Sequence, residues 1–179
     1  MPHLVSKSRR FASTLTLVVA VVVAVLSAGC NVAQDAERAQ SVISAVLQIA
    51  QAEEPALPPA DAAILAQWVH LGITLNAQLT TCVSAAASNG NKKSAFLACF
   101  NSFSQGLLQP AELAQLRVLS PASERKVQLY VTAIAVGLNV AIPLLGGTPE
   151  PAPAISAVQP SPQELAAFAH RIGAPAPGF

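Results

Sequence analysis

The sequence predicts an all-α protein: a small bundle of about four main helices followed by a proline-rich tail that carries one short helix. Three observations predict it. Apolar residues recur at three- and four-residue steps over long stretches. No segment shows the apolar–polar alternation of a half-buried strand. Proline, Ser88-Asn89-Gly90-Asn91 and Gly146-Gly147 punctuate the chain at intervals suited to helices.

The first helix is expected over 33–54, with Ile43, Val46, Leu47 and Ala50 on one side and Asp35, Glu37 and Arg38 near its start. Pro55, Pro58 and Pro59 end it and set up the next. The second, over 61–87, places Ile64, Trp68, Leu71, Leu75, Leu79 and Cys82 on one face. A second stripe, Leu65, Val69 and Ile73, widens that face and makes the helix a central element. The third repeats the pattern with Phe96, Phe100, Phe103 and Leu107 until Gln109-Pro110 breaks it. With Trp68, these phenylalanines concentrate the scarce aromatic side chains on one helical hairpin, where the core is expected.

Pro110 opens a short helix to about Leu119. Ser120-Pro121 then has the order of an N-cap followed by the proline favoured at the first helical position. The helix that follows is expected to run to Ile142, with Gly146-Gly147 closing the bundle. It carries no charge from Val127 to Thr148 and is long enough to cross a bilayer. Gln128, Thr132, Asn139 and Pro143 favour a packed bundle helix instead, because they are costly facing lipid.

Composition changes after Gly147. Half of the fourteen prolines fall between Thr148 and the C-terminus, which divides the chain into a bundle over 30–147 and a tail over 148–179. Inside the tail, Ser161-Pro162-Gln163-Glu164 has the arrangement of a capping box and opens a helix over 162–172. Leu165, Phe168 and Ile172 form its apolar face. So short a helix must dock, on its own bundle or on a partner. That face is too small for a core of its own, so the tail is expected to be separable from the bundle in stability.

Two cysteines, Cys82 and Cys99, lie nearly equidistant from the turn at 88–91. In an antiparallel helical hairpin such residues face each other at the same height. A disulfide is expected there, stabilising by about 3 kcal/mol through the loop it closes. The alternative is a pair of buried free thiols. No nearby His or further Cys completes a four-ligand set, so no metal and no cofactor is expected.

At the N-terminus, Lys7, Arg9 and Arg10 precede an apolar stretch, Leu15 to Leu26, which ends in Leu26-Ser27-Ala28-Gly29-Cys30. This order of basic, apolar and small residues before a cysteine resembles the signal peptides of bacterial lipoproteins. The resemblance covers this segment alone. It implies that residues 1–29 are removed and that Cys30 becomes the first mature residue. Acyl chains on Cys30 would then anchor the exported chain to a membrane. Asn31, rather than Asp, after the cysteine implies the outer membrane, facing the periplasm, where the host has one. Otherwise the location is the outer face of the cytoplasmic membrane. Two alternatives are a plain secretory signal cut near Ala28 and an uncleaved anchor helix over 11–28. An exported location agrees with a disulfide.

Without Lys7, Arg9 and Arg10, the ten basic residues fall to seven against nine acidic ones. No basic stripe remains, only the pairs Lys92-Lys93 and Arg125-Lys126, which read as solvated helix starts or turns, so nucleic acid is excluded as a partner. So sparse a charge permits close approach to a membrane, a protein partner or another copy of the chain.

No catalytic activity is expected. His70 and His170 sit beside no nucleophile or carboxylate at a usable spacing. Asp35 and Asp61 lack a carboxylate partner, and Glu53-Glu54 reads as a solvated helix terminus. No phosphate loop, HExxH or GxSxG is present. The expected function is that of a lipid-anchored helical structural or interaction protein of the bacterial cell envelope. The alternative is a helical binding module holding an apolar ligand such as a lipid.

Overall fold

The computed structural model describes residues 32–90, 92–148, 153–155 and 160–172. The protein is all-α, with no strand among the described residues. Its helices are α1 (Val32–Glu53), α2 (Pro59–Ser88), α3 (Lys93–Leu107), α4 (Pro110–Leu116), α5 (Pro121–Leu144) and α6 (Pro162–Arg171). A single 3₁₀ turn, Glu54–Ala56, links α1 to α2. It forms where Pro55 cannot continue α1, and the Leu57 amide closes it by donating to the Glu54 carbonyl at 3.0 Å.

α2 runs antiparallel to α1. The Gln40 amide donates to Thr80 Oγ1 at 2.9 Å and to Asn76 Oδ1 at 3.4 Å, a polar seam near one end of the pair. Lower down, Gly72 allows close approach: a Cβ there would lie 2.5 Å from a methyl of Leu47. α3 returns along α2, with Leu75 packed over Gly106 and the cysteines opposite one another. The residue types at the shared face explain the register. Phe96, Phe100, Phe103 and Leu107 follow at helical spacing and all are buried, as is Trp68 on α2.

α5 is the core helix. It lies antiparallel to α1, with Gly137 beside Val42 and Tyr130 reaching Glu53. Val127, Val131, Ile134 and Leu138 are buried between α1, α3 and the rest of the fold. By length and composition α5 alone among the described helices would suffice to cross a membrane. Protein neighbours cover much of its apolar surface, and two of its buried polar side chains, Gln128 and Thr132, bond to each other at 2.9 Å.

The helix continues through Pro143 to Leu144, beyond the stop expected at Ile142. Gly146 then adopts φ +88°, and the Gly146 and Gly147 amides donate to the Pro143 and Ile142 carbonyls at 3.0 and 2.9 Å. These paired bonds are the Schellman arrangement, which needs a residue free to enter the left-handed region. α2 likewise starts earlier than expected, at Pro59, so Asp61 falls in its first turn.

The described parts of the tail pack onto the bundle. Ile155 and Phe168 are buried in the same hydrophobic core as α1, α2, α3 and α5. The capping box of α6 is present: the Glu164 amide donates to Ser161 Oγ at 3.2 Å, and the Ser161 amide donates to Glu164 Oε2 at 2.7 Å.

Candidate functional site

Cys30 and the segment 1–29 lie outside the described residues, which begin at Val32, two positions after that cysteine. The second sequence-derived site is formed as expected. Cys82 and Cys99 are disulfide-bonded, with their Cα atoms 5.8 Å apart at a sequence separation of 17. Cys82 lies on the exposed side of α2, whereas Cys99 is buried.

Three polar clusters join segments that are far apart in the chain. In the first, the Gln128 side chain, wholly buried on α5, accepts from the Ile155 amide at 2.8 Å through Oε1. Its Nε2 donates to Thr132 Oγ1 and, at 3.5 Å, to the Pro153 carbonyl. The described backbone at Pro153 and Ile155 is thereby given hydrogen-bond partners by a side chain.

The second cluster joins α1, α5 and α6. Tyr130 donates to Glu53 Oε2 at 2.5 Å, and Arg171 forms an ion pair with the other carboxylate oxygen. Phe168 packs on Tyr130 with ring centroids 5.7 Å apart, and the Arg171 guanidinium lies 5.8 Å from the Phe168 centroid. Burial is the largest influence on Glu53 and would raise its pKa. The hydrogen bonds from Tyr130 and Arg171, with the charges of Arg171 and Lys126, outweigh it and hold the carboxyl below its usual value. Burial, reinforced by the hydrogen bond to Glu53, pushes the Tyr130 hydroxyl upward, so it stays protonated as a donor. Glu53 is therefore not the solvated terminus expected from the sequence.

The third cluster ties the start of α2 to the start of α5. Asp61 accepts from the Ser120 amide at 3.2 Å, from the Ser120 hydroxyl, and from Ser123 Oγ at 2.6 Å. The hydrogen bonds from Ser120 and Ser123 hold its carboxyl below the usual value. Ser120 does occupy the N-cap position of α5, but its side chain makes no local cap bond. It donates across the fold to Asp61 instead.

These clusters saturate the groups they contain. Ser120 and Ser123 donate to a carboxylate and have no imidazole beside them, while His70 and His170 are both exposed. No group of three or more potential metal ligands occurs among the described residues. Outside these clusters, two buried polar atoms among the described residues lack a hydrogen-bond partner, the Trp68 indole N–H and Asp35 Oδ1. A cleft of about 190 Å³ lies between Leu108, Pro110, Leu138, Asn139 and Pro153.

Sequence reasoning located the disulfide and the capping box because both are local. It missed the roles of Glu53, Asp61, Tyr130 and Gln128, whose partners lie 59 or more residues away for Asp61 and 77 for the Glu53–Tyr130 pair. One signal was available: an amide in a charge-free apolar helix must find a partner when that helix is buried. No protein-family profile, curated protein or solved structure matches the chain.

Proposed function

We propose that the chain is a lipid-anchored structural or interaction protein of the bacterial cell envelope, cut before Cys30, acylated on that residue, and without a catalytic step. The observation that carries this reading is the run Leu26-Ser27-Ala28-Gly29-Cys30 behind a basic and then apolar segment. Two features support it. The Cys82–Cys99 disulfide suits an oxidising, exported location. α1 begins at Val32, so the folded part follows the anchor without a long spacer. The frame of the reading is four long helices, α1, α2, α3 and α5, with Ile155 and α6 packed against them.

One candidate site for an apolar ligand among the described residues is the cleft beside Pro153. Its volume, about 190 Å³, falls short of the about 300–1,000 Å³ of small-molecule sites. That cleft lends the alternative of a binding module no support.

Intact mass of the membrane-extracted protein tests the anchor. A mature chain starting at Cys30 with two or three acyl chains is expected, and Cys30→Ala should lose both the added mass and membrane retention. A full-length, unacylated chain that stays in the membrane would overturn the reading.

A further inference from the structure

Three registers define which groups share one end of the bundle. Gln40 bonds Thr80, and Gly72 meets Leu47, which sets Val32 of α1 level with the last turns of α2. Cys82 opposite Cys99 sets Lys92 and Lys93 level with Ser88 and Asn89. Gly137 beside Val42, with α5 antiparallel to α1, brings Leu144 and the Gly146–Gly147 turn to the same end. Gly147 lies against Leu97 of α3, which agrees. This end therefore carries the start of α1, the exposed Lys92-Lys93 pair and the partly exposed Leu144.

Charge is distributed unevenly along the bundle axis. At this end Asp35 pairs with Arg38 at 3.8 Å, leaving Glu37 about five residues along α1, roughly 7 Å back from Val32 at the rise of a helix. Lys92 and Lys93 stand at the tip itself. The other acidic groups described, Glu53, Glu54, Asp61, Glu112, Glu124 and Glu164, belong to the remaining part of the bundle, as do Arg117, Arg125, Lys126 and Arg171. Two residues of chain span at most about 7 Å, so an anchor at Cys30 holds this end, and no other, against the bilayer.

We propose that the end formed by Val32, Lys92, Lys93 and Leu144 is a docking surface for an anionic lipid bilayer, the two lysines meeting phosphate headgroups and Leu144 entering the interface. The proposal rests on acylation of Cys30. Lysines at a membrane surface are attracted by anionic headgroups, and the attraction is screened by salt.

The test uses the acylated full mature protein in detergent micelles, in phosphatidylcholine vesicles, and in vesicles that also contain phosphatidylglycerol. Acetylation of Lys92 and Lys93 is compared by mass spectrometry with that of Lys126, which lies on the far part of the bundle. Several-fold slower labelling of Lys92 and Lys93 in the anionic vesicles, relieved by high salt with Lys126 unchanged, is the expected result. Equal rates at all three lysines, protection that neutral vesicles reproduce, or protection that salt does not relieve would overturn the docking surface. Intact mass of the same sample reports acylation separately: an acylated protein with unprotected lysines defeats the docking proposal alone, and an unacylated one defeats the anchor on which it rests.

Discussion

Gln128, fully enclosed on α5, holds the backbone of Ile155 through a 2.8 Å hydrogen bond across 27 residues of sequence. The bond gives the buried Ile155 amide a partner beside an apolar helix. Replacing Gln128 with Leu keeps the size but strands the Ile155 amide and the Thr132 hydroxyl. Urea denaturation should show a loss of about 1–3 kcal/mol, the range for a buried donor left unsatisfied.

The tail is expected to matter more for folding than its composition suggests. Ile155 and Phe168 are both in the core, and Phe168 covers Tyr130. Phe168→Ala should cost about 3 kcal/mol or somewhat more, as for other buried aromatic truncations. A chain ending at Gly147 should keep its helical signal but melt at a distinctly lower temperature. Equal melting of the truncated and full chains would instead bear out the separable tail expected from the sequence.

Acid should weaken the α1–α5–α6 junction through Glu53. Its folded pKa is lower than the ordinary value of 4.5, so its contribution is complete above that value and is lost as pH falls through the lower folded one. Glu53→Gln should be less stable than the parent at neutral pH. The difference between the two, measured by denaturant titration at a series of pH values, should shrink on acidification below the ordinary carboxylate range.

Reduction of the disulfide should be measurable without unfolding the protein outright. A bridge between residues 17 apart is worth about 3 kcal/mol in the chain-entropy treatment. Cys82 is exposed, so reductant has access. The denaturation midpoint of the reduced, alkylated protein should fall accordingly, and a Cys82→Ser, Cys99→Ser double variant should match it.

Trp68 presents the opposite situation, a buried donor with no acceptor. Trp68→Phe loses apolar contact but also removes an unpaired N–H, and the two effects oppose each other. The stability change should stay within about 1 kcal/mol, well short of the about 3–5 kcal/mol expected for truncating a core aromatic to alanine. Calorimetric melting of the two proteins distinguishes these outcomes.

The helices, their punctuation by Pro55, Pro59, Pro110 and Pro121, the capping box at Ser161 and the Cys82–Cys99 register were legible because each depends on residues within a few turns of one another. The signal-like run ending at Cys30 is legible for the same reason. The folded arrangement alone decided which polar groups bind the bundle together. Glu53 looks like a solvated helix end until α5 and α6 bring Tyr130 and Arg171 to it. Ser120 looks like a local cap until α2 presents Asp61. Gln128 is an amide in an apolar helix until the fold brings Ile155 to it. Periodicity and capping are set by neighbours in the chain, whereas a buried polar side chain is satisfied by whatever the packing of distant helices places within reach.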